Sequence, residues 1–330
     1  MFKCPGCGKP MKLPLCLICG RKILYTDGIY RLTDDPYIIN GESTGIKYIG
    51  FEEIGEYYSG ASFFNQAVID EKCRNIAKIT GGGTLLDLAC GDGLYTVPLL
   101  LRGLNIIAMD ISDKMLALLY KRDENSGADI SNLVVCRANA LDIPLADGSV
   151  DAVTAISLLH LISKPEAVIG EIYRVLKKGG EYITFEDRPG ADIFSNKNLS
   201  AEEQAENIKY IELTDFIERR YFKILEEEHG ISRTRYSWFF DQKNICGEIF
   251  DSKKIYTVPI DSKTRNILKD SYLYRMRGKG YSDQSAVPRD IHEDAFRRVM
   301  AEFTEIYGAE APDTGYTEYE NDVEITVYIK

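Results

Sequence analysis

Between residues 84 and 186 the chain alternates short apolar runs with longer stretches whose apolar positions recur every three or four residues. The short runs predict strands at 84–89, 105–110, 132–136, 151–156 and 181–186, and the longer stretches predict helices at about 94–102, 113–124 and 164–177. Strand followed by helix, repeated, means a doubly wound α/β fold with a mostly parallel sheet covered on both faces. KKGG at 177–180 offers a basic last turn and a glycine stop for the third helix. Beyond Pro189, charged helical segments occupy about 200–229, 262–280 and 290–307, while KIYTVPI at 254–260 and DVEITVYIK at 322–330 read as strands. The chain therefore returns to the sheet, and 190–320 is a helical insertion around the last strands. Ahead of the core, 32–80 is a connecting, partly helical stretch, and ILYTDGIYRL alternates around Asp27-Gly28 as a hairpin does.

Cysteine spacing adds a small module to this picture. Cys4, Cys7, Cys16 and Cys19 form C-x2-C-x8-C-x2-C, with Gly8 and Gly20 directly after each pair. Each CxxCG is a tight knuckle that aims two thiolates at one point, and four sulfurs in a tetrahedron favour Zn2+. So short a stretch with so little apolar material needs such a staple to fold. Residues 1–31 are expected to be a zinc ribbon. Its Lys3, Lys9, Lys12, Arg21, Lys22 and Arg31 stand against a single Asp27, which suits a nucleic-acid or partner contact, or the solvated surface of a stabilising module. Cys73, Cys90, Cys136 and Cys246 lie singly in apolar segments, as buried thiols of a reducing compartment do.

The whole chain has 330 residues and a formal charge of -11, which disfavours a surface that grips nucleic acid throughout. No run of eighteen apolar residues occurs, and MFKCPGCGKP lacks the apolar region of a secretory signal. A soluble, cytoplasmic protein is expected.

Candidate chemistry centres on TLLDLACGDGLY at 84–95. In a doubly wound sheet a ligand sits over the first strand-helix turn, here Cys90 to Gly93. A dinucleotide would want G-x-G-x-x-G, yet Thr96 holds the third glycine position, while Asp87 and Asp92 place carboxylates beside the turn. Such charges repel a pyrophosphate and suit S-adenosylmethionine, which is cationic and lacks phosphate. Asp110 ends the second strand, where a carboxylate accepts ribose hydroxyls.

Four motifs in order, LLDLACGDG, AMDIS, ANALDIPLADGSVDAVTAISLLHLI and EIYRVLKKGGEYITFED, make residues 84–187 resemble the core of class I S-adenosylmethionine-dependent methyltransferases. The likeness is greatest to the methyltransferase type 11 group that includes the ubiquinone and menaquinone C-methyltransferases. The resemblance implies a seven-stranded Rossmann-like sheet, with a core at 81–189 in a domain spanning 81–330. It also implies a cofactor turn of Asp87, Ala89, Cys90, Gly91 and Gly93, a ribose contact at Asp110, and an adenine site of Ile111, Met115, Asn139 and Ala140. Ile156 lies under the methionine moiety, and Tyr57 and Tyr58, in a helical cap within 32–80, fold over the cofactor's amino-acid end or pack in the core. Ala89 and Asn139 depart from the usual glycine and aspartate, and Pro98 is unusual in the first helix unless it falls in the first turn.

Methyl transfer needs positioning more than a base. His160 is the candidate base, with packing at a strand end as the alternative, and Glu186 and Asp187 end the fifth strand at the same face. For the acceptor, a small molecule under the C-terminal helices and their aromatics (Tyr236, Trp238, Phe239, Phe240, Tyr272, Tyr274) is the first expectation. The second is RNA, because an N-terminal zinc module on this core resembles ribosomal RNA guanine methyltransferases and 262–281 interleaves tyrosines with Lys263, Arg265, Lys269, Arg275, Arg277 and Lys279. A third is a noncatalytic module that binds the cofactor.

Overall fold

A computed structural model of the chain describes residues 2–33, 55, 65–162, 164–185, 198–233, 241–281, 284 and 287–330. Tyr57, Tyr58, Glu186, Asp187 and the aromatics at 236–240 lie outside the described residues.

Strand β1 (Phe2–Lys3) pairs with β2 (Pro10–Met11), and β3 (Leu24–Thr26) with β4 (Ile29–Arg31). Asp27 (φ 54) and Gly28 (φ 79) supply the two left-handed residues that a tight hairpin turn requires. Next come α1 (Gln66–Thr80), β5 (Thr84–Leu88), α2 (Thr96–Leu100), β6 (Asn105–Asp110), α3 (Asp113–Ser126), β7 (Leu133–Arg137), β8 (Val150–Thr154), α4 (Pro165–Val175) and β9 (Leu176–Phe185). The remainder is α5 (Ala201–His229), α6 (Gln242–Ile249), β10 (Ser252–Ile267), α7 (Tyr274–Arg277), α8 (Arg289–Tyr307) and β11 (Gly315–Ile329).

The main sheet has nine strands in the order β10-β11-β9-β8-β5-β6-β7-β4-β3, not seven. Strands β5 to β9 are mutually parallel, and β11 inserts antiparallel between β9 and β10. The two extra strands come from the N-terminal hairpin, whose β4 pairs parallel with β7 (Ile29 with Val135, Arg31 with Arg137). The module at 1–31 is thus continuous with the sheet.

Period-two alternation sorts the core. Leu85, Ile106, Ala152 and Ile183 face α1, α2 and α3, while Leu86, Met109, Val153 and Tyr182 face α4 and α6. Pro98 is the third residue of α2, within the first turn, where its missing N–H has no helical partner to lose. Helices α5 and α8 form their own apolar cluster around Ile217, Tyr221, Val299 and Phe303. Asn207 ties α5 to the sheet, donating to Thr317 O at 2.7 Å and accepting from Thr317 N at 2.6 Å.

Two boundaries differ from expectation. KKGG is the start of β9 rather than a helix end: α4 stops at Val175, and a register shift between Val150 and Ala152 absorbs the glycines. Residues 262–267, expected to be helical, continue β10, which pairs along nearly its whole length with β11. Both strands are half exposed and polar, so the apolar signal that marks a strand is weak there.

Candidate active site

The carboxyl ends of the parallel strands open into a cavity lined by the ends of β5 and β6 and the loops that follow them. Ala89 (φ 59) and Gly91 (φ 56) both reverse the chain in the left-handed region directly after β5, so that backbone approaches the cavity. A Cβ on Gly91 would stand 3.3 Å from Met115 Cε, whereas one on Gly93 would come within 2.9 Å of Leu119 Cγ. Gly93 therefore serves close packing on α3 and does not line the cavity.

Asp110 is the carboxylate at the rim. Its Oδ2 accepts the Gly91 N–H at 3.0 Å and its Oδ1 accepts the Ser112 N–H at 2.9 Å, so the end of β6 holds the glycine turn and the cap of α3 together. Ile111, Met115, Asn139, Ala140 and Ile156 line the cavity. Asn139 Oδ1 accepts the Leu141 N–H at 3.0 Å. That bond orients the amide, so its NH2 turns away from Leu141 and the oxygen serves the loop before any ligand.

The other acidic residues of the turn do not face the cavity. Asp87 shares the β5 face of Leu85 and is buried against α2, where it accepts from Thr96 Oγ1 at 2.6 Å and Thr154 Oγ1 at 3.0 Å. Burial pushes its pKa up to about 6, against the lowering effect of the two hydroxyls. Thr96 replaces a third glycine because its hydroxyl is needed there. Asp92 is buried and ion-paired with Arg122, whose Nε also donates to Asp92 O at 3.1 Å. The carboxylates at 87 and 92 are thus compensated within the fold, and only Asp110 presents its charge to the cavity. Cys90 is buried under the turn, its thiol held far above the usual range by burial.

A second cavity adjoins the first and shares Ile156, Ser157 and Leu158 with it. His160, on the exposed turn after β8, lines this second cavity. Its other walls were not foreseen from the sequence: Lys72 on α1, Tyr95, Phe185, Gln242, Glu318 and Glu320. Tyr95 and Phe185 stack at 6.1 Å, with Lys72 Nζ 4.8 Å from the Phe185 ring centre. Gln242 donates to Thr184 Oγ1 at 3.0 Å. Burial raises the pKa of Glu318, while Lys72 acts in the opposite direction. These residues come from segments far apart in the chain, and no local motif marks them.

Comparison with known proteins covers the part of the chain that lines the first cavity and only part of the second. Residues 86–184 match the methyltransferase domain family. An uncharacterized chloroplastic methyltransferase of Arabidopsis thaliana is 37% identical over 106 residues, 31% of this chain and 30% of that protein. The demethylmenaquinone methyltransferase of Thermus thermophilus is 35% identical over 107 residues, 32% of this chain and 47% of that protein. The chain thus spans less than half the length of these relatives. A solved structure of a putative methyltransferase from Bacillus halodurans is 17% identical, covering 78% of this chain and 97% of its own, with a TM-score of 0.43.

Two features outside residues 86–184 complete the description. Cys4, Cys7, Cys16 and Cys19 converge, with all four sulfurs within 4.8 Å of one another. The Cys4–Cys19 and Cys7–Cys16 pairs are 3.6 and 3.7 Å apart. Tetrahedral Zn2+ with bonds of about 2.3 Å sets its sulfurs about 3.8 Å apart, so the donor set fits that ion. The basic stripe at 262–281, by contrast, is partly paired within the chain. Lys263 pairs with Glu203 at 2.8 Å, Arg265 with Glu206 and Lys269 with Asp313, while Lys279 is buried. Tyr272 and Tyr281 pack on each other rather than presenting a stacking platform. Among the described residues no helix is long and apolar enough to cross a membrane.

Proposed function

We propose that the chain binds S-adenosylmethionine over Asp110 and transfers its methyl group to a small-molecule acceptor held in the neighbouring cavity. The shared wall of Ile156, Ser157 and Leu158 carries this reading, because groups bound in the two cavities meet there. Asp110 would accept the ribose hydroxyls, Asn139 and Ala140 would meet the adenine edge, and the left-handed turn at Ala89 and Gly91 would let backbone approach the methionine end. When bound, S-adenosylmethionine supplies a methyl carbon already activated by its sulfonium.

The chain's own residues then align and dry the acceptor. The Tyr95–Phe185 stack offers an apolar face to it, and His160 or Glu318 stands in the same cavity to hold a proton it gives up. Partial pairing of the 262–281 stripe within the chain favours a small molecule over RNA. Zn2+ in the four-cysteine site would be structural, since four thiolates leave no open position.

The test is transfer of labelled methyl from S-adenosylmethionine into fractionated extract, scored separately for RNA, protein and small molecules. Label in the small-molecule fraction, lost with Asp110→Ala, supports the reading. Label confined to RNA or protein overturns its acceptor class.

A further inference from the structure

The N-terminal module grips the stretch that forms the far end of the first cavity. On the upstream side Leu32 N donates to Arg137 O at 2.9 Å, and Arg137 Nη1 donates to Thr33 O at 3.4 Å. The same Arg137 donates through Nε to the carbonyl of Ile111, a cavity residue, at 3.0 Å. On the downstream side Lys3 N donates to Pro144 O at 3.0 Å, Phe2 bridges Leu145, and Lys3 Nζ lies 3.5 Å from Asp142. Asn139 and Ala140 lie between these two attachments. Buried Cys4 and Cys16 pack in one apolar cluster with Leu32, Ala138, Ile143 and Leu145, so the cysteine knuckles form part of the support behind the loop.

Helix α4 shares the task only at one end. Glu171 accepts from Ile143 N at 2.8 Å, and Arg174 donates to Ile143 O and Leu145 O, each at 2.7 Å. Upstream of Ile143 the module faces the loop across a cavity, lined by Cys4, Arg21, Leu32 and Thr33 on one side and by Asn139 and Asp142 on the other, so the hold there comes from the bonds at its two ends. Asn139 therefore stands as a partition, with ligand space in front and the cysteine module behind.

From this we infer that the ribbon is a positioning element of the nucleoside site: its two straps, at Phe2–Lys3 and Leu32–Thr33, set Asn139 and Ala140 against the adenine edge and so set affinity and base selectivity for the cofactor. The inference rests on the proposed cofactor site. An exposed ion pair such as Lys3–Asp142 contributes little, so the work falls to the backbone bonds and to the packing of Phe2 and Leu32. An amide held at the adenine edge discriminates adenine from hypoxanthine, because the donor and acceptor at the base's amino edge exchange roles between the two.

The experiment compares zinc-loaded wild type with Phe2→Ala/Leu32→Ala, titrating S-adenosylhomocysteine and S-inosylhomocysteine by calorimetry. The double variant is expected to weaken S-adenosylhomocysteine on the order of tenfold and to shrink the preference for the adenosyl compound. Val299→Ala, which opens the remote α5–α8 cluster, controls for general destabilisation and should leave both quantities within about twofold. If the double variant does not fold, Leu32→Val replaces it, with a smaller shift in the same direction. A folded, zinc-loaded variant with wild-type affinity and preference overturns the inference. Absence of binding by folded wild type overturns instead the proposed cofactor site on which it rests.

Discussion

Asp87→Asn should change how stability responds to pH. The wild-type carboxyl is buried, with a pKa of about 6 against an ordinary value of 3.8. A pKa raised by folding means the fold prefers the neutral form. The associated stability is fully present below about pH 4 and is lost as pH rises through about 6. A difference of about two pH units corresponds to about 3 kcal/mol. Asparagine does not titrate, and it preserves the shape: its oxygen accepts one threonine hydroxyl while its NH2 donates to the other. Urea unfolding followed by far-UV circular dichroism, at about pH 4 and about pH 7.5, should therefore show the variant gaining about 3 kcal/mol on wild type across that interval. Parallel profiles, differing by under about 1 kcal/mol, would mean that Asp87 is ionised at little cost in the fold and would refute the burial argument.

Ala89→Gly should raise stability by roughly 0.5–1 kcal/mol, because a left-handed alanine costs more than glycine's extra chain entropy; a lower melting temperature for the variant would show that Ala89 packing outweighs the strain. Arg122→Met should cost about 3 kcal/mol by taking the guanidinium away from the buried Asp92 carboxylate, and Arg122→Met/Asp92→Asn should recover most of that loss in a double-mutant cycle. Elemental analysis should find zinc at one equivalent per chain, and Cys4→Ser/Cys16→Ser should lose the metal and melt at a lower temperature; a metal-free wild type of unchanged stability would remove the ribbon assignment.

The strands from Thr84 to Phe185 were legible in the sequence because they are buried on both faces and read as continuous apolar runs. Topology pointed to the turn after the first strand and to Asp110, because ligands sit at the carboxyl ends of parallel strands, whereas Ile111, Met115, Asn139, Ala140 and Ile156 were named through the methyltransferase resemblance. Side-chain direction was less legible. Asp87 and Asp92 are plain in the sequence, yet whether each faces the cavity depends on Thr96, Thr154 and Arg122, which lie on other elements. The docking of β4 on β7 was hidden because it needs only three residues. Long-range partners were hidden for a related reason. Glu318 and Glu320 reach the second cavity only because β11 returns beside β9, and Lys263 and Arg265 look like a free basic stripe until Glu203 and Glu206 are brought alongside.

The measurement closest to the central claim is calorimetric titration of S-adenosylmethionine into wild type and Asp110→Ala. Losing charged acceptors for two ribose hydroxyls, at about 1.5–3 kcal/mol each, should weaken binding by at least about tenfold. Saturable binding at one site per wild-type chain, with that loss in the variant, is the predicted result. No binding by folded wild type, or equal affinity in the variant, would contradict the account.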